Sequence, residues 1–158
     1  MSVLSLFQWL GHTSMGLAIR HSTWGVAIVE MVHLLALAAL GGTILLVDLR
    51  LFGIGLKHPP AARLARELSP VFWGSLAVMV LSGTLIVSAE PMKCYHSGAF
   101  RTKMLLLVLA ILFHFTFHRN AVESTTEKVA SLWSKSAALL SLALWLGVGL
   151  AGRAIGFL

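Results

Sequence analysis

Four long apolar runs divide the chain, and the polar residues that interrupt them fall at chosen places rather than at random. The first run, WGVAIVEMVHLLALAALGGTILLVDLRLF, covers about residues 24–47 before it meets Asp48 and Arg50. The second is VFWGSLAVMVLSGTLIVSA, residues 71–89, opened by Pro70. A third, about 100–118, has a short apolar centre and ends in HFTFH, and a fourth covers about 131–152. Each is long enough to cross a hydrocarbon layer as a helix, which takes roughly 20 residues. Residues 3–19 alternate too often with Gln8, His12, Thr13 and Ser14 to span. They predict an amphipathic helix lying on the membrane surface. Arg63, Arg66 and Glu67 predict a short helix in the loop before Pro70, and residues 90–99 read as a second loop.

Short connections make neighbouring helices antiparallel. The expected fold is therefore all-α: a single membrane domain over residues 1–158, a four-helix up-and-down bundle with an N-terminal interfacial helix. Composition strengthens this. The chain is 58% hydrophobic and 11% charged, against about 25% charged in a soluble domain. The net charge of +6 is dispersed over loops, with no basic run carrying interleaved aromatics, so nucleic acid is not an expected partner. Cys94 is the single cysteine, which excludes an intrachain disulfide. The first residues lack the basic start and apolar core of a signal peptide.

An even number of spans returns the chain to one side. Arg20, Lys93, Arg101, Lys103 and Arg153 then share that side. Arg50, Lys57, Arg63, Arg66, Arg119, Lys128 and Lys135 share the other. The richer side is expected to be cytoplasmic, which makes the protein a multi-pass component of a bacterial inner membrane with periplasmic termini.

Ionisable residues inside membrane segments are costly and default to a functional reading. Glu30 and His33, three apart, are expected on one helical face. At about 1.5 Å per residue His33 lies roughly 13 Å into its span. Lys103 opens span three at the same end, and His96 lies in the neighbouring loop. His114 and His118 close span three beside Asp48 and Arg50, roughly 20 Å from His33. Two clusters follow. One holds Glu30, His33, Lys103 and His96. The other holds His114, His118, Asp48 and Arg50, the last two expected to pair at the membrane boundary.

Three chemistries compete for these clusters. Imidazole can take an axial position on haem iron. Imidazole with the thioethers of Met31, Met79 and Met104 suits copper. Hydrogen bonds between helices need no cofactor at all. No CxxCH is present, so covalent haem attachment is excluded. HExxH, a nucleophile elbow and a phosphate loop are also absent, which removes support for soluble hydrolase or kinase chemistry.

The stretch VEMVHLLALAALGGTILLVDLRLFG, with SGTLIVSAE and AFRTKMLLLVLAILFHFTFHR, resembles a family of small uncharacterised bacterial membrane proteins. Its pattern is Glu-x-x-His, a small-residue stretch, then Asp-Leu-Arg-Leu. Position 114, asparagine in that pattern, is histidine here. The framework is similar, more distantly, to the HemJ-type protoporphyrinogen oxidases and to the CopD copper-resistance proteins. The tryptophan-rich signature of the former is missing around Ala38–Thr43. The HemJ resemblance implies that His33 binds haem b with Lys103 beside it.

The expected function is that of a b-type cytochrome. His33 is an axial ligand. The second ligand is Lys103 or one of His96, His114 and His118. Arg50 and Arg119 hold a propionate or serve a second haem, and Glu30 is a proton carrier. The expected partners are quinone, a periplasmic redox protein or a second copy of the chain in a homo-oligomer. Protoporphyrinogen oxidation, copper passage and simple membrane anchoring are the alternatives.

Overall fold

The computed structural model describes residues 3–54, 60–118, 120, 122 and 132–155. Among them lie two short helices, α1 (Val3–Gly11) and α2 (Ser14–His21), then the long α3 (Gly25–Phe52) and α4 (Ala61–Ala89). A short α5 (Pro91–His96) leads into α6 (Gly98–Phe113), which continues as a π-helical turn over His114–His118. Helix α7 covers Leu132–Ala154. Four helices are long and apolar enough to span a membrane: Gly25–Phe52, Ala61–Ala89, Gly98–Thr116 and Leu132–Ala154. The expected all-α four-helix membrane architecture is the one found.

Helix α3 organises the packing, because its sequence buries one continuous stripe. His33, Ala36, Leu40, Ile44, Val47 and Leu51 recur at steps of three and four and are all buried, which is the period of one helical face. Against this stripe α4 sets Phe72, Leu76 and Met79, and α7 sets Trp145 and Val148. Leu35, Leu46, Leu81, Leu105, Leu146 and Leu150 face outward, as lipid-exposed positions should. Contacts run α4–α3–α7–α6, whereas α4 and α6 barely approach each other along their backbones. The bundle is thus an open arc, with the α4/α6 side bridged by side chains.

Three expectations change. The surface helix over 3–19 is two helices, broken at His12–Thr13, because the Thr13 hydroxyl accepts from the Gly16 N–H and starts a new helix. Both pieces dock on the bundle. Phe7 meets Tyr95 and Phe100 edge-on, and Arg20 Nε donates to the Ala89 carbonyl at 2.7 Å. Second, Pro70 does not start a span. Helix α4 begins at Ala61 and runs through it, so the loop helix and the span are one rod. Proline removes one ladder bond there, and the flanking turns remain helical. Third, residues 91–96 form a helix rather than a loop, started by Pro91 in its first turn.

Candidate functional site

His33 sits on the buried stripe of α3 with 9% exposure, and both ring nitrogens are engaged. Nδ1 lies 2.9 Å from Ser82 Oγ on α4. The Ser82 hydroxyl has one proton, and its shorter contact, 2.6 Å, is to the Val78 carbonyl. Ser82 therefore donates to its own helix and accepts from His33 Nδ1–H. That assignment leaves a lone pair on Nε2. Lys103 Nζ, reaching across from α6, donates to it at 3.2 Å.

Two glycines make room for this pair. A Cβ at position 83 would stand 3.3 Å from His33 Cε1, and one at 152 would stand 3.3 Å from Lys103 Cε and Nζ. The small residues of SGT in α4 were legible as a close-approach signal. The role of Gly152 was not, since nothing in the sequence aligns α7 with Lys103.

Glu30 and His96 do not join them. Glu30 is exposed and forms no ion pair among the described residues. Three residues turn a helix by about 300°, so the carboxylate stands roughly 60° round from the imidazole, off the stripe. His96 is also exposed, its ring edge-on to Tyr95 at 5.2 Å.

The second cluster is tighter than expected. Asp48 is 0% exposed and His118 3%. His118 Nε2–H donates to Asp48 Oδ1 at 2.6 Å. Asp48 is thus buried among the helices and held by a span-three histidine. Positions 44, 47, 48 and 51 share the buried face of α3. His114 stacks on His118 at 5.0 Å and on Phe72 at 4.5 Å. The π turn explains the double stack. Its wider i→i+5 winding brings residues four apart nearly into line. Among the described residues, His114 Nδ1 is buried without a hydrogen-bond partner, and Asp48 Oδ2 and Ser141 Oγ, though neighbours, make no bond of good geometry. Ser134 and Ser141, both 1% exposed, lie on the inner face of α7. Their seven-residue spacing was readable, and their depth was not. Arg50 is half-buried, and Arg119 lies outside the described residues.

The model of a family of unknown function, DUF6644, matches residues 4–158. The chain belongs to that family. No curated protein matches it, and no solved structure does.

The donor set bears on which cofactor these residues fit. Among the described residues no three His, Cys, Asp or Glu side chains converge as a metal cage. Met31 and Met104 are 55% and 42% exposed, leaving only Met79 inside, so the thioethers do not gather round His33. His33 Nε2 and Lys103 Nζ are the nitrogen donors that the bundle brings together here, 3.2 Å apart. Glycine at 83 and at 152 lets the two side chains approach this closely.

Proposed function

We propose that the protein is a haem b-binding membrane protein of the inner membrane that passes single electrons, and that His33 and Lys103 would hold the haem. The reading rests on one observation: Ser82 fixes the proton of His33 on Nδ1, so Nε2 presents its lone pair to Lys103. A ligating histidine is held by its other ring N–H in this way. Bound haem supplies an iron that changes oxidation state by one electron. The chain contributes the ligand, its orientation and an apolar shell of Ala36, Leu40 and Met79 that excludes water.

Lys103 has a second capacity. An ammonium donating to imidazole keeps the lone pair solvated by protein until a stronger acceptor replaces it. Glu30, a turn nearer the helix start and exposed, is suited to exchange protons with the interface. The charge distribution supports periplasmic termini, and the redox partner is expected to be a quinone, a periplasmic protein or a second copy of the chain.

Optical spectroscopy of the purified protein, as isolated and after hemin addition, tests the reading. Wild type is expected to give a reduced b-type Soret and α band. His33→Ala removes them. Ser82→Ala keeps them but weakens haem retention by about 10–100-fold, the usual cost of losing such a partner. A wild-type protein that remains colourless after hemin addition overturns it. Turnover of protoporphyrinogen by the haem-loaded protein would place the same site in an oxidase rather than a carrier.

A further inference from the structure

The bundle buries a second ionisable pair that the haem reading leaves unused. Asp48 and His118 meet roughly 20 Å along α3 from His33, joined by the 2.6 Å bond from Nε2–H to Oδ1. Beside them is a cleft of about 360 Å³, lined by Phe72 and Trp73 from α4 and by His118 from the π turn. Ala62, Ala65 and Ser69, in the first three turns of α4, line it as well. The cleft therefore runs from the end of the bundle where α4 starts to the His118 ring.

Three observations define what this arrangement does. The first is charge. With a single proton in the bond the imidazole is neutral and the carboxylate negative, so the pair carries a net −1. Among the described residues His118 is the only ion-pairing partner of Asp48. A net charge inside a bilayer is costly, and one further proton removes it. The second is the acceptor. Asp48 is fully enclosed, whereas His118 lines the cleft. His118 Nε2 is committed to Asp48, which leaves Nδ1 to take the proton. The product is an imidazolium–carboxylate pair of net charge zero. The third is stoichiometry. His114 lies face to face with His118, ring centroids 5.0 Å apart, and has Phe72 on its other side. Two imidazolium rings would repel there, so the stack holds one charge, on the ring that has the carboxylate. Other groups near the pair are few. From α7 the neighbour is the Ser141 hydroxyl, and from α4 the charged residue on the cleft lining is the exposed Arg66. Arg50 follows on α3 but lies about 200° round the helix from Asp48.

We infer that the Asp48–His118 pair is a proton-binding site, loaded through the cleft from the aqueous side at which α4 starts. Loading transfers one proton from hydronium to His118 Nδ1 and leaves the Asp48–His118 bond in place. The site is separate from the His33–Lys103 pair and needs no haem.

Solid-state NMR of full-length protein in lipid bilayers, with isotope-labelled histidine nitrogens, tests this. The His118 signals are those lost in His118→Gln. Imidazole ordinarily changes charge between about pH 5 and 8, which sets the range of the titration. In wild type His118 is expected to pass from one protonated nitrogen to two as pH falls, while His114 stays neutral. Asp48→Asn keeps an acceptor for Nε2–H but removes the negative charge. It should weaken proton uptake by at least about tenfold, so that loading needs a lower pH. Ala65→Phe, on the cleft lining, fills the route and should slow proton exchange at His118 several-fold. A His118 ring that keeps one protonation state throughout overturns the inference. So does one that titrates alike in wild type and Asp48→Asn, or exchanges equally fast in Ala65→Phe. Should Asp48→Asn fail to fold, the wild-type titration and the Ala65→Phe exchange decide. Haem plays no part in this readout, so a colourless protein whose His118 titrates sinks the haem reading and leaves this one standing.

Discussion

A serine hydroxyl has one proton to give, and at Ser82 it goes to the helix backbone. That local choice determines which nitrogen of His33 is basic, and with it what the bundle can hold. The Asp48–His118 bond is the other decisive residue-scale contact. Removing one partner of a buried pair can cost about 3–5 kcal/mol, but polar pairs inside membrane bundles average nearer 0.6. Asp48 already carries one unsatisfied oxygen, which reduces its net contribution. Asp48→Ala is therefore expected to lower stability by about 1–3 kcal/mol, measured by thermal unfolding in detergent. Asp48→Asn should recover most of that. Its carbonyl accepts from His118, and its amide puts a donor beside the Ser141 hydroxyl. Equal losses in both variants would show that the charge itself is needed. At this scale the sequence told which residues were costly to bury, His33, Asp48 and Lys103. It also grouped Lys103 with His33 and His118 with Asp48 by depth, but it did not tell that Ser82 holds His33, because Ser82 comes from a helix whose rotation no periodicity determines.

Among elements, the docking of α2 is the most exacting contact. A Cβ at Gly16 would lie 2.6 Å from the Ser88 carbonyl oxygen, and backbone cannot move aside as a flexible side chain can. Gly16→Ala is expected to lift α2 from the end of α4. Overpacking of this kind costs about 1–3 kcal/mol. Limited proteolysis should show new cleavage near His12–Thr13 while the bundle stays intact, and an unchanged digest would mean that α2 is held by Arg20 alone. Element existence was legible from hydrophobic runs. Element ends were not. Pro70 looked like a start signal, yet helix on both sides of it outweighed one missing hydrogen bond. The π turn at His114–His118 has no hydrophobic signature, because a hydrophobic pattern reports which face is buried and not how tightly the backbone winds.

For the whole molecule, the charge bias predicts α5 on the outer face and the Arg63 turn on the inner one. A membrane-impermeant maleimide tests this in intact cells. A cysteine at exposed Met92 should label, and one at exposed Arg63 should label only after lysis. Native Cys94 stays silent in both. It is buried, and burial with Glu90 beside it pushes its thiol up, away from the reactive thiolate. The reverse pattern would invert the topology. The membrane class was readable from composition, since few charges and four apolar runs leave no other solvent to satisfy. The open α4/α6 side was not, for it depends on which helices are neighbours.

One rod serves both sites. Helix α4 presents Phe72 and Trp73 to the cleft and Ser82 and Gly83 to His33, ten residues or roughly 15 Å away. Such a helix is stiff along its axis, so a slide of one end is a slide of the other. A displacement of α4 at Phe72 is therefore carried to the Ser82 hydroxyl, and the imidazole of His33 feels packing changes roughly three turns of a rod away.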